Sequence, residues 1–332
     1  MPERAAAESA SANPPAAPPA AADAAATARR MWTLFEPVHI VSYFAAEPRQ
    51  AFERAGVRGY WRGYFAGRAA PLGEAGAGPV TAAFFSFAPA MVARAVPGIW
   101  ALITPGEALA VRQAGAVAAL RHLVGDDGLA VAAVADYLAE AAAGLAAGGH
   151  VLGAANIDLP VPAEPLARLW HSATVLREHR GDGHVAALVA ADLDGAEALA
   201  LRAGVDLAAR GASSQESGGW TRDQLQPIRG WTDAEWDAAV SRLADRGLVR
   251  PDGAATAAGT ALYQRVEDAT DQAAARPWSR LPVARAVELA ELLRPIARAC
   301  AAVLPFPHRL PHPARPADPA PRSRPVQHPE PG

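Results

Sequence analysis

Along most of the chain, apolar residues recur at the three- and four-residue spacing of a helix, while the strict alternation of a half-buried strand is scarce. The pattern predicts helices over roughly 36–44, 47–55, 58–68, 79–95, 106–124, 129–147, 163–179, 184–191 and 194–203. Several stops are explicit: Gly125-Asp126-Asp127-Gly128, Gly148-Gly149, and Pro160-Val161-Pro162. The polar Gly/Ser stretch 210–220 reads as a linker and a subdomain boundary. One interruption is chemically dense. Arg177-Glu178-His179-Arg180-Gly181-Asp182-Gly183-His184 sits between two apolar helical patterns. Gly181 and Gly183 are expected to break the helix there. Polar groups so crowded are costly to bury without partners, so this stretch is either a solvated interhelix loop or a site.

An internal repeat bears on that choice. Arg112-x-x-Gly115-x-Val117-Ala118-Ala119-Leu120 matches Arg180-x-x-Gly183-x-Val185-Ala186-Ala187-Leu188, and at the same offset Pro97 falls on Pro165. Two copies of one helical module, about 80–147 and 149–207, can pack with a pocket between them. In the first copy, Leu109, Ala110, Val111, Ala114 and Ala116 stand where the second has Arg177, Glu178, His179, Asp182 and His184. The module is thus expected to fold without those charges, which makes them candidates for function.

Residues 219–277 follow a different pattern. A short helix from Thr221 leads through Gly230-Trp231 to Thr232, whose pairing with Glu235 forms a capping box. Gly247 ends that second helix, Arg250-Pro251-Asp252-Gly253 is a turn, and Thr256 opens another long helix. This order is that of a winged helix-turn-helix. The expected architecture is mostly α: disordered Ala/Pro-rich termini at 1–30 and 304–332, a duplicated helical module at 31–209, a winged helix-turn-helix at 210–280, and a C-terminal helix at 281–303.

Composition narrows the function. The chain has no lysine, its 31 basic residues being arginines, and its net charge is −3, so there is no general attraction to nucleic acid. A lone Cys300 leaves no intrachain disulfide and no cysteine-based metal site. His171, His179 and His184 lack standard ligand spacing, and no metal or other cofactor is expected. With no secretory signal and no membrane span in the pattern, the chain is expected to be cytoplasmic. The Ser-nucleophile elbow, the Walker loop, the dinucleotide fingerprint and the His-Glu-x-x-His motif are all missing.

The segment LADRGLVRPDGAATAAGTALYQRVEDATD (243–271) resembles the wing and following helix of MarR-type regulators. With GYWRGYFAGRAAPLG at 59–73 and LREHRGDGHVAAL at 176–188, residues 32–280 are similar to a bacterial MarR-like helix-turn-helix family. The resemblance implies a winged fold, DNA as a partner, and a homodimer. Arg242, Arg246 and Arg250 are then the DNA-contact candidates. Against them, 232–246 also carries Asp233, Glu235, Asp237 and Asp245, a net −2 on the expected recognition helix.

Two stretches are candidates for binding a small molecule. In the first, Asp182 caps a helix through 191, or an anion takes its place among Arg177, Arg180 and His184. His171 and Glu178 share one helical face two turns apart. In the second, Gly63 and Gly67 permit close helix approach, while Tyr64 with Arg62 and Arg68 suits a planar or anionic ligand. The expected function is a small-molecule-responsive MarR-like protein, a transcriptional regulator. The alternative is an enzyme, or a biosynthetic or resistance binding protein, in which the His/Glu/Asp/Arg cluster works and the winged helix is scaffold.

Overall fold

The computed structural model describes residues 21–125, 128–212 and 219–305. Among these residues the chain is helical, with no strand. The elements are α1 (Ala21–Phe44), α2 (Ala46–Arg54), α3 (Tyr60–Ala69), α4 (Ala77–Phe84), α5 (Pro89–Ala93), α6 (Pro105–Val124), α7 (Gly128–Ala143), α8 (Val151–Ile157), α9 (Pro165–Ala190), α10 (Gly195–Ala212), α11 (Arg222–Arg229), α12 (Asp233–Asp245), α13 (Ala257–Ala273), α14 (Arg276–Ser279) and α15 (Val283–Ala301).

The largest departure from the sequence pattern lies at the centre. Residues 165–190 form one unbroken helix, α9, straight through Gly181 and Gly183. Each glycine disfavours a helix interior by about 1 kcal/mol. Neighbouring helices offset that cost by packing where a side chain would not fit. A Cβ on Gly183 would lie 2.8 Å from the Ala273 Cβ of α13. On the other side, Gly153 of α8 lets the His179 backbone approach, with its own virtual Cβ 2.8 Å from the His179 Cα. Asp182 is therefore no helix cap. It lies buried in mid-helix and accepts a 2.7 Å hydrogen bond from the Gly153 N–H.

Three apolar clusters organise the molecule. The first joins α1, α6, α7 and α9 to the C-terminal α14 and α15, around Trp170, Trp278, Leu34 and Leu138. It draws in both ends of the chain. Residues 21–30, expected to be disordered, belong to α1: Ala24 and Ala28 are buried, and Arg29 pairs with Glu267 and Asp271 of α13. Residues 1–20 and 306–332 of the expected termini lie outside the described residues. Cys300 is buried in this cluster, where burial pushes its thiol up to about 12 and leaves it unreactive at neutral pH.

The second cluster holds α2 to α5, α8 and the start of α6. Gly63 and Gly67 let α3 approach Phe52 of α2, with virtual Cβ distances of 3.3 and 3.1 Å. The helix expected over 79–95 is interrupted. α4 ends at Phe84, Phe85 takes φ +43°, and α5 starts at Pro89.

The third cluster is built from α10 to α13 with Leu188 of α9 and Leu193. Capping boxes start α11 (Thr221 with Gln224) and α12 (Thr232 with Glu235), and left-handed Gly230 ends α11. The expected wing is only a turn closed by one antiparallel bridge, Val249 to Ala255. Of the linker at 210–220, residues 213–218 lie outside the described residues.

Candidate functional site

α9 carries the dense polar stretch through the interior, so its residues diverge around the helix instead of converging as a loop would allow. Glu178, 2% exposed, is the hub of one face. Its two oxygens accept from Arg68 Nε and Nη2 at 3.0 and 3.1 Å, and from Arg177 Nη1 at 3.0 Å. Burial alone would raise this carboxyl, but the Arg68 and Arg177 guanidiniums hold it well below the usual carboxylate range. Arg177 also stands 3.5 Å from Glu36, and Arg68 Nη1 donates to the Tyr64 hydroxyl. His39 lies behind, 4.0 Å from Glu178, with its Nδ1 against Thr174. Burial, then the nearby Arg177, holds the His39 imidazole neutral.

The other members point elsewhere. Arg180 pairs with Asp271 of α13 and lies over the Trp32 ring. His179 stacks on His150 with ring centroids 3.6 Å apart, and burial lowers it to about 4. Burial raises Asp182 to about 6, against the lowering effect of the Gly153 hydrogen bond. His171 is buried on α9, lowered to about 4 by burial and then by Arg112. Arg62 is exposed on α3 and takes no part. Of the ten binding candidates, Tyr64, Arg68, Arg177 and His184 reach a common cavity, and Glu178 sits just behind it.

That cavity lies where the helical body meets α10–α13. An inner chamber of about 340 Å³ is lined by Arg68, Phe84, Arg177, His184, Arg202 and Arg229, among others. It adjoins an outer chamber of about 750 Å³, and the two share Tyr64, Arg177, Trp220, Ile228 and Arg229. The outer walls are aromatic. α1 supplies Trp32, Tyr43 and Phe44, α3 supplies Tyr60, Trp61 and Tyr64, and Gln224, Pro227, Ile228 and Arg229 come from α11. Sequence reasoning missed Arg229, Arg202, Trp220 and Tyr43. An Arg at the end of a short amphipathic helix has no local mark of a binding role; only packing brings it opposite α3.

Arg229 is the unusual member. Its guanidinium stacks over Phe87, 4.5 Å from the ring centroid, and its buried Nε has no hydrogen-bond partner. Among the described residues no carboxylate pairs with it. Burial lowers its affinity for its proton; Tyr64 counters this, and the nearby Arg68 and Arg177 reinforce it.

The second candidate surface is α12. Arg242 is held by Asp194 and Glu197, at 2.6 and 2.8 Å. Arg246 Nη1 donates to the Asp192 carbonyl, and Arg250 lies 3.5 Å from Asp252. The three arginines expected to face DNA are exposed but engaged within the chain. Of the acids, Asp233 and Asp237 pair with Arg222 of α11, Glu235 caps α12 through Thr232, and Asp245 is exposed.

A family model described as a helix-turn-helix family matches residues 28–307. The chain belongs to this helix-turn-helix family. No curated protein and no solved structure matches it. The match spans the helical body as well as α11 and α12, and it names helix-turn-helix proteins at large without singling out the MarR type. Membership suggests a DNA-binding, regulator-like role. In this helix-turn-helix chain, no helix among the described residues is long and apolar enough to cross a membrane.

Proposed function

We propose that this helix-turn-helix protein is a small-molecule-responsive transcriptional regulator of MarR-like type, whose ligand occupies the cavity between the helical body and α11. One observation carries the proposal. The walls of the outer chamber come from α1, α3 and α9 on one side and from α11 of the helix-turn-helix on the other. A molecule seated there touches both parts, so its binding free energy depends on how they are placed, which is the requirement for a ligand-controlled switch. α11 is also tied to the body: the Arg229 carbonyl accepts from the Ala88 N–H, and Trp231 Nε1 donates to the Ser86 carbonyl. A homodimer would present two such units to a two-fold DNA site.

A specific observation favours a second function. Over 232–246 acids outnumber arginines four to two and both arginines are internally paired, with Arg222 of α11 offsetting Asp233 and Asp237. That suits an enzyme or a biosynthetic or resistance binding protein with the helix-turn-helix as scaffold, because phosphate neutralisation supplies most non-specific DNA affinity. Gel-shift titration against the protein's own upstream DNA separates the two. A regulator gives sequence-specific, salt-sensitive retardation. Absence of retardation at low salt rejects the regulator and leaves the binding protein or enzyme.

A further inference from the structure

The acids around the cavity are unevenly shared among its arginines, and one arginine is left over. Arg68 and Arg177 share Glu178, and Arg177 has Glu36 in addition. Arg202 is bonded to Asp206 and to the Tyr263 hydroxyl. Arg29 and Arg180 are taken by Glu267 and Asp271. Among the described residues, Arg229, in the wall common to both chambers, is the one lining arginine with no acid in ion-pair contact; Asp223, also on the outer wall, does not pair with it. A guanidinium with a buried, unpartnered Nε and no acid in contact favours a counterion strongly.

Beside it, the outer chamber is faced by aromatic rings. Tyr60, Trp61 and Tyr64 pack together with centroid separations of 4.9 to 6.5 Å, and Tyr43 adjoins Tyr64 at 4.8 Å. Rings so arranged offer both edges and faces to a further ring. At about 750 Å³ the chamber is sized for a molecule of several fused or linked rings rather than for one.

From this unpaired Arg229 at the edge of a large aromatic chamber, we infer that the ligand is a multi-ring aromatic monoanion, its single acidic group on Arg229 and its rings among Trp61, Tyr60 and Tyr64. The inference rests on the ligand-binding role proposed above and adds the ligand's charge and shape. Because Arg229 is the last residue of α11, the acidic group also fastens the helix-turn-helix to the body. One negative charge suffices. A second would face Glu36, Glu178 and Asp223, with no further unpaired arginine among the described lining residues to meet it.

The test uses two probes of nearly the same skeleton, anilinonaphthalenesulfonate (a monoanion) and the uncharged N-phenylnaphthylamine. Binding is followed by probe fluorescence and by quenching of the protein's tryptophans. The intact protein should bind the sulfonate at least about tenfold more tightly than the amine, the scale of one charge-assisted hydrogen bond. Arg229→Gln should remove that preference, weakening the sulfonate about tenfold or more while leaving the amine unchanged. Trp61→Ala should weaken both, and Arg62→Gln neither. If Arg229→Gln melts below the assay temperature, Arg229→Met, which keeps the stem over Phe87, replaces it. Equal binding of the two probes, or a preference that survives loss of Arg229, overturns the monoanion inference and leaves the cavity as a ligand site. Binding insensitive to Trp61, or no binding of either probe, overturns both.

Discussion

Replacing Glu178 by glutamine removes one negative charge and almost no volume, from the point where α3 and α9 are joined. In the folded protein that carboxylate is 2% exposed and receives three hydrogen bonds from two guanidiniums. An amide can accept on one oxygen only, and its NH2, a donor, then faces a guanidinium that has no acceptor to offer. Breaking a buried pair by removing one partner costs about 3–5 kcal/mol, because the remaining charge stays buried without compensation. Here part of Arg177 retains Glu36 at 3.5 Å, which places the expected loss near the lower end, about 3 kcal/mol. At roughly 2 °C per kcal/mol for a fold of this size, the melting temperature should fall by roughly 6 °C. Circular dichroism melting at neutral pH and low salt checks this. Added salt should not restore the loss, since a buried pair is poorly screened. The pH dependence has a definite sign. The folded carboxyl is held below its unfolded value, so its contribution is complete above the unfolded carboxylate range and is lost as pH falls through that range and below it. Glu178→Gln should therefore cost less at pH 4 than at pH 7. A Glu178→Gln protein melting within about 1 °C of the parent at pH 7 would refute the buried-hub account.

The two glycines that leave α9 unbroken should respond with opposite signs. Gly181→Ala meets only the ends of Arg177 and Glu178 at 3.8 Å and should stabilise by up to about 1 kcal/mol, whereas Gly183→Ala would press on Ala273 and should destabilise by about 1–3 kcal/mol, both read by urea unfolding. Asp182 is raised to about 6 by burial, so stability falls as pH rises from the ordinary carboxylate range to about 6 and stays reduced above it; Asp182→Asn, which keeps an acceptor for Gly153, should raise the melting temperature at pH 7.5 more than at pH 5. A uniform shift at both values would show that charge is not the cause. His171 and His179, both lowered to about 4, must stay neutral in the fold, so each withdraws stability as pH drops from about 6.5 toward 4; His179→Gln should flatten that part of the stability–pH curve. Arg242→Gln should leave any DNA affinity unchanged in gel shift, because Asp194 and Glu197 already engage that side chain; a large loss would mean the arginine leaves these partners to reach phosphate.

What the sequence determined by itself is local. Helical periodicity, the Thr232–Glu235 capping box, Gly247 at the end of α12, and the close approach at Gly63 and Gly67 all depend on residues within a few positions of one another or on the absence of a side chain. They were legible for that reason, and so were four of the residues that reach the cavity, through the rare clustering of charge beside aromatics. Tertiary structure alone decided whether Arg177–His184 is loop or helix. Propensity favoured a break by about 1 kcal/mol per glycine, and the packing of α8 and α13 onto Gly153 and Gly183 outweighed it. Once the stretch is helical, its side chains turn about 100° per residue and must part company. Glu178 is then sent to Arg68, Arg180 to Asp271, and Asp182 to Gly153. Tertiary structure also brought α11 against the body and left Arg229, among the described arginines lining the cavity, without an acid in contact. That placement sets Arg229 in one cavity with Tyr64 of α3, far apart in the chain, and no local pattern encodes it.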